Sequence, residues 1–451
     1  MTKAIIKRVK LLSYPQMIAL GYILVIVFGT LLLLLPIASE DNISVGFVDA
    51  LFTATSATCV TGLVVFDTYT QWSIFGQLVI LILIQVGGLG FMTIITMFSF
   101  LLKRKIGLKE RGLLRESVNT LYIGGIVRLI KKILIGTFIF EGIGAILLAI
   151  KFIPHMGLVK GIYNGVFHSV SAFCNAGFDL MGRYGKYSSL TFYCDDVIVN
   201  LTIMVLIIVG GIGFFVWDDI TKNKYHFKRY QLHTKIVLST TTILIVSGAI
   251  SFYIFESGNL LSHMSVGEKI LASLFGSVTP RTAGFNTVDV ATMMPATKLL
   301  TMMLMFIGGS PGSTAGGIKT TTLAIILISL WSSLRATKND NIFGRRLEDN
   351  ALKRASAVVT VNLILTFTAA FLIIGTNNAL SLSDVIFEVL SAIGTVGLST
   401  GITSTLSSFA QIVIILLMYC GRVGSLSFAL IFTEHKMPSC IQSPKEKITI
   451  G

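Results

Sequence analysis

Eight stretches of the chain, at about 17–36, 75–102, 129–150, 197–217, 234–255, 299–331, 355–375 and 409–432, are apolar over lengths that water-soluble folds rarely sustain. A helix needs about 20 largely apolar residues to cross roughly 30 Å of hydrocarbon, and each stretch is that long. Only 13% of the 451 residues are charged and 53% are hydrophobic, whereas soluble domains carry about 25% charged residues. The expected fold is an all-α polytopic membrane protein with eight transmembrane helices. The first stretch follows a basic N-terminus, but it is too long for a signal h-region and lacks a small-residue cleavage site, so it reads as the first span.

The stretches come in pairs. Inside each pair the connector holds a shorter apolar segment, too short to cross, that opens with Phe and closes with Gly. These segments read FTATSATCVTG at 52–62, FHSVSAFCNAG at 167–177, FGSVTPRTAG at 275–284 and FEVLSAIGTVG at 387–397. Each has Ser or Thr four residues after its Phe, and the third is one residue shorter. Their closing glycines lie 115, 107 and 113 residues apart, so one unit occurs four times, and such a repeat governs the fold. A second Gly-rich element follows 25, 33, 24 and 24 residues later: GGLGF at Gly87, GGIGF at Gly210, GGSPG at Gly308 and GRVG at Gly421. The predicted organisation is four repeats of helix, pore loop and helix around one pore, at 1–102, 103–222, 223–335 and 336–434. A cytoplasmic tail follows at 435–451.

Charge sets the orientation, because cytoplasmic loops retain Lys and Arg. Of 36 such residues, 27 lie in the N-terminus, the inter-unit segments and the tail, and seven lie in the pore-loop connectors. Both termini are therefore expected in the cytoplasm, with the Phe-to-Gly segments entering from outside. The net charge of +14 does not imply nucleic acid, since its cations sit in short loops without interleaved aromatics. Acidic connector residues, among them Asp67, Asp179, Asp289 and Glu388, are either cation attractants at an outer mouth or ordinary solvated charges. Cys59, Cys174, Cys194, Cys420 and Cys440 show no spacing for zinc or for a disulfide framework. No cofactor or resident metal is expected beyond a permeating ion.

Short re-entrant segments ending in Gly fit pore helices followed by extended strands, and non-helical backbone at membrane depth must line a cavity or be buried in protein. A pore helix aims its partially negative C-terminus at the axis, and exposed carbonyls beyond it replace an ion's hydration shell. Gly62, Gly177, Gly284 and Gly397 suit a backbone that needs positive φ. The carbonyls are expected from Thr58, Cys59, Val60 and Thr61, from Cys174, Asn175 and Ala176, from Arg281, Thr282 and Ala283, and from Gly394, Thr395 and Val396. Any single glycine there is explained as well by helix packing or a turn; four in register are not. Arg281 is expected to brace its loop rather than enter the pore.

The sixth stretch contains Gly308, Gly309, Ser310, Pro311, Gly312, Ser313, Thr314, Ala315, Gly316, Gly317 and Lys319, a run that cannot keep a regular helix. It is expected to break in mid-membrane and to act as a gate, unless it is a static kink. Arg422 lies mid-span, where a charge costs about 2.5–3.5 kcal/mol; it is expected to form part of the gate and a positive barrier to ions, placed where it could bond to that loop's free carbonyls, with snorkelling or a helix tie as the alternative. Glu141, also mid-span, reads as a structural hydrogen-bonding residue. The run 312–320 nearly spells a phosphate loop, but Ile318 separates Gly317 from Lys319 and no βαβ context exists. A serine protease centred on Ser310 or Ser313 has no facing His. No enzyme activity is expected.

Taken together, SATCVTGLVVFDT, SAFCNAGF, TPRTAGFNT, SAIGTVGLSTG, QVGGLGF, VGGIGF, GGSPGSTAGGIKTT and GRVGSLSF resemble the ion-translocating subunits of the Trk/Ktr/HKT superfamily, closest to the bacterial Ktr type. The resemblance covers essentially the whole chain. It implies potassium uptake through a channel-like pore in the bacterial cell membrane, and leaves open whether sodium is a second permeating or activating ion. It also implies one pore per subunit, a homodimer in the lipid bilayer, a cytosolic nucleotide-binding RCK ring as partner, and a gate at 308–319. In that family a Gly at each filter position favours potassium, and Ser at the first is associated with sodium-permeable relatives; here the first is Gly62. The rival reading is a secondary cation symporter with alternating access, but such carriers use inverted repeats, and these four are parallel.

Overall fold

Ser13 starts the first helix with a reciprocal cap: its Oγ accepts from Gln16 N, and Gln16 Oε1 accepts from Ser13 N at 3.0 Å. Pro15 sits in the first turn, where no donor is needed. The computed structural model describes residues 13–102, 106–118, 124–337, 340–377 and 379–424. The basic residues before Ser13 and at 103–105, the SLSF after Gly424, the end of the fourth repeat and the tail at 435–451 lie outside the described residues.

The first unit runs through α1 (Tyr14–Leu33), α2 (Phe47–Thr58), α3 (Ile74–Leu89) and α4 (Phe91–Leu101). After α5 (Leu108–Val118), the second comprises α6 (Ile126–Met156), α7 (Leu158–Phe173), α8 (Val197–Gly211) and α9 (Phe214–Asn223). The third holds α10 (Leu232–Glu256), α11 (Val266–Val278), α12 (Pro295–Phe306) and α13 (Thr320–Leu334), and the fourth α14 (Ala351–Thr376), α15 (Leu382–Gly394) and α16 (Ser408–Val423). A two-residue antiparallel pair, Asn341–Ile342 with Arg345–Arg346, lies between the third and fourth units.

The leading helices α1, α6, α10 and α14 are long and apolar enough to cross a membrane alone. Their outward side chains, such as Leu24, Phe28, Ile146, Ile243 and Phe367, are exposed, which a hydrocarbon solvent favours and water does not. The second helices depart from the sequence reading. The stretches 75–102 and 197–217, expected as single spans, are each bent by 95°. The cause is Gly90 (φ 81°) and Gly213 (φ 97°), in a left-handed conformation that ends a right-handed helix. Gly424 (φ 95°) ends α16 in the same way. In the third unit the break is wider, with no helix at 307–319.

The short helices α2, α7, α11 and α15 form the inner layer. Each packs on the second helix of the preceding unit: α7 on α3, α11 on α8, α15 on α12 and α2 on α16. The last pairing joins the fourth unit to the first, so the four units close a circle.

Candidate functional site

Phe52, Phe167, Phe275 and Phe387, at most 1% exposed, anchor the inner helices. One turn later the repeated hydroxyl grips the chain beyond the helix. Ser56 Oγ accepts from Gly62 N and Ser391 Oγ from Gly397 N, each at 3.1 Å. Ser171 Oγ donates to Phe178 O at 2.7 Å, and Thr279 Oγ1 to Phe285 O at 2.5 Å. The main-chain oxygens of the same four residues accept from Thr61, Ala176, Ala283 and Val396 N at 2.7–2.9 Å.

Held this way, the backbone alternates in hand. Val60, Asn175, Thr282 and Thr395 have φ of 57°, 60°, 78° and 52°, the next residue stays out of that region, and Gly62, Gly177, Gly284 and Gly397 return to 88°, 68°, 78° and 92°. Alternating hand turns successive peptide groups to one side, whereas carbonyls of an extended strand alternate. For a side-chain-bearing residue such as Val60 this costs on the order of 1–3 kcal/mol, which the bonds above offset.

The four strands touch in sequence. A Cβ placed on Gly177 would stand 2.6 Å from Ala283 O and 3.0 Å from Gly284 Cα. One on Gly62 would collide with the Ala176 carbonyl, one on Gly284 with that of Val396, and one on Gly397 with that of Thr61. The contacts run from the first strand to the second, third and fourth and back to the first. The four strands thus follow one another in a closed cycle, and main-chain oxygens turned toward the axis of such a cycle would replace the water shell of a dehydrated monovalent cation. Thr58 and Gly394 are the last residues of α2 and α15. Their carbonyls meet Gly87 and Gly317 of the layer beneath. Cys174 and Arg281 turn their side chains outward: Cys174 Sγ donates to Gln85 Oε1 at 3.5 Å, and Arg281 Nη2 to Thr241 Oγ1 on α10 at 3.4 Å. Cys59 is buried.

Above the ring, all four glycines open into a cavity of about 460 Å³ that is also lined by Asp67, Asp179, Asp289 and Lys186. Burial pushes the Asp179 carboxyl up to about 7, opposed by a hydrogen bond from Met181 N and reinforced by Asp67. Other connector carboxylates serve the fold. Glu256 Oε1 accepts from Met294 N at 2.8 Å, Glu388 accepts from Ser399 and Thr403, and Asp196 caps α8 and pairs with Lys151.

Beneath the ring runs the segment 307–319. Ser310 N donates to Gly211 O at 2.9 Å, Phe214 N to Gly312 O at 2.8 Å and Thr314 Oγ1 to Phe173 O at 3.2 Å, tying the segment to the second unit. Ser310 Oγ and Thr320 Oγ1 share a bond of 2.9 Å, Ser313 Oγ donates to Ser310 O at 2.6 Å, and Gly309 and Pro311 complete the turn. A Cβ on Gly308 would press on Thr282, and one on Gly316 on Thr395. Lys319 Nζ donates back to Ala315 O at 2.7 Å and Gly316 O at 3.0 Å. Arg422 donates through Nη1 to Thr314 O and through Nη2 to Gly87 O and to Gly88 O, the last at 3.0 Å. One guanidinium thereby joins the segment to the bend of the first unit.

The profile of the TrkH cation transport protein family matches residues 11–442. The chain belongs to this family. It is 42% identical to the Ktr system potassium uptake protein B of Bacillus subtilis, over 97% of this chain and 96% of that one. It is also 42% identical to the potassium/sodium uptake protein NtpJ of Enterococcus hirae, over 99% of each. The crystal structure of the potassium transporter TrkH from Vibrio parahaemolyticus superposes with a TM-score of 0.70 at 18% identity, covering 92% of this chain and 84% of that one, which shows a common fold.

Two parts of this TrkH-family site lacked a role in the sequence. The Ser or Thr four residues after each Phe was visible as a repeat, but only the fold shows it gripping the strand. The first glycine of three of the four GGLGF-type elements also has a contact of its own: a Cβ on Gly87, Gly210 or Gly421 would run into the carbonyl of Thr58, Phe173 or Ile393. These carbonyls occupy equivalent places at the ends of the inner helices, so the glycines let backbone meet backbone, as packing inside a membrane favours.

Proposed function

We propose that this chain is the ion-translocating subunit of a potassium uptake system, and that potassium enters down its electrochemical gradient through the ring formed by residues 58–62, 174–177, 281–284 and 394–397. The observation that carries this reading is the closure of four strands of alternating hand, each glycine against the next strand's carbonyl. The two relatives at 42% identity are named for potassium and for potassium/sodium uptake, so sodium is the competing ion.

In this reading the segment 308–319, with Arg422 fastened across it, is the gate, and the spans are eight in four parallel repeats. The clustering of Lys and Arg in the inter-unit segments supports cytoplasmic termini in a bacterial cell membrane. A homodimer and a cytosolic nucleotide-binding RCK ring rest on the resemblance to Ktr-type subunits. The function is passive conduction, without catalysis.

The test is purification and reconstitution into liposomes, with potassium and sodium fluxes measured under an imposed gradient. Potassium flux should exceed sodium flux and rise without saturating over the concentrations that saturate a carrier. Saturating flux with a fixed coupling ratio between two ions would favour alternating access instead, and no cation flux would remove the reading.

A further inference from the structure

Glu141 stands midway along α6, 6% exposed, at membrane depth, where an ionisable group is costly and usually has a task. Its own backbone shows what the position requires. Glu141 O accepts from Ser169 Oγ at 2.6 Å, and in the third unit Ile245 O accepts from Ser277 Oγ at 2.8 Å. Ser169 and Ser277 each lie two residues after the anchoring Phe of their inner helix. Glu141 and Ile245 thus hold equivalent places, and an apolar side chain satisfies the helix contact. The third unit has no carboxyl at this place.

That carboxyl reaches the ring at second hand. Gln85 Nε2 of α3 donates to Glu141 Oε2 at 3.2 Å, and Gln85 Oε1 accepts from Cys174 Sγ at 3.5 Å. Cys174 Sγ also lies 4.0 Å from Glu141 Oε1. Cys174 immediately precedes Asn175, the left-handed residue of the second strand. There is no slack around it, since a Cβ on Gly88 would come within 2.6 Å of Cys174 Sγ.

We propose that Glu141, acting through Gln85 and Cys174, sets the position of the second strand's carbonyls and is a selectivity-positioning residue that touches no ion. The proposal rests on the potassium-pore reading above. Glu141 holds the Gln85 amide through its Nε2, and the oriented Gln85 oxygen holds the Cys174 thiol. Losing the carboxyl takes from the half-buried Gln85 amide its acceptor, and the resulting adjustment moves the segment clamped to it. Discrimination between ions of different radius depends on where those oxygens stand, so the ratio of potassium to sodium flux should change more than total flux.

The experiment measures that ratio in liposomes for the wild-type protein, Glu141→Leu, Glu141→Gln, Gln85→Leu and Ile245→Val, with intact protein quantified in each. Glu141→Leu and Gln85→Leu should each lower the ratio about fivefold to tenfold. Glu141→Gln, which keeps an acceptor oxygen, should restore most of it, and Ile245→Val should leave it unchanged. A wild-type ratio in either Leu variant overturns the proposal, as does an equal loss in Glu141→Gln. If Glu141→Leu does not accumulate, Gln85→Leu decides, because it breaks the same connection from the other helix. A wild-type protein that passes no potassium overturns the pore reading itself, a different outcome from a potassium-selective wild type with indifferent variants.

Discussion

Gly62 has no room for one more carbon, because its neighbour across the ring is the carbonyl of Ala176 and its φ of 88° already excludes most side chains. Gly62→Ser must therefore push the second strand outward or rotate the first, and either widens one quarter of the ring. Its potassium-to-sodium flux ratio should fall by about an order of magnitude while protein still reaches the membrane; an unaltered ratio would show that Gly62 does not line the conduction path. The hydroxyls behind the ring make a gentler test. Ser56→Ala and Ser391→Ala each remove the acceptor of a glycine N–H, a loss of about 1–3 kcal/mol when the group is buried. Thermal unfolding in detergent should shift downward for each, more steeply for the double variant, since both hold one ring.

At the scale of elements, the second helices are built to stop. Gly90, Gly213 and Gly424 end them at the level of the segment 307–319, leaving carbonyls that a continuous helix would have used itself. Arg422 takes two such oxygens, from Gly87 and Gly88, and a third from Thr314 of the segment, which accounts for a charge at this depth. Arg422→Ala frees the segment from the first unit and should raise potassium flux severalfold; so should deletion of residues 312–317, which removes the part lying under Thr395 and Gly394. Unchanged flux in both variants would remove the gate from the account.

Across the whole molecule, the ring opens to one acidic cavity, and charge in a concave mouth concentrates counter-ions. Asp179 is a carboxylate lining it whose charge responds near neutrality. Its burial holds it at about 7, so it is mostly ionised above that pH and mostly neutral below it. Lowering external pH from about 8 to about 6 should therefore reduce potassium entry at low potassium concentration by about twofold to threefold. The effect should shrink in high salt, where the charge is screened, and Asp179→Asn should flatten the profile. A pH response of equal size in the Asn variant would assign the titration to another group.

The membrane class was legible in the amino-acid sequence because it depends on apolar length alone, and the proposed repeat and ring were read there from local chemistry in register: a Phe anchor, a hydroxyl at a fixed offset and a closing Gly. The 95° bends at Gly90 and Gly213 were not, since a glycine inside an apolar run serves a straight packed helix equally well. Which carbonyls Arg422 reaches, and that Glu141 meets Gln85, depend on contacts between units, 56–335 residues apart in the chain. No spacing along one unit encodes such contacts. Packing α7 on α3 brings Glu141 to Gln85, and closing the circle, with α16 laid against α2, brings Arg422 to Gly87.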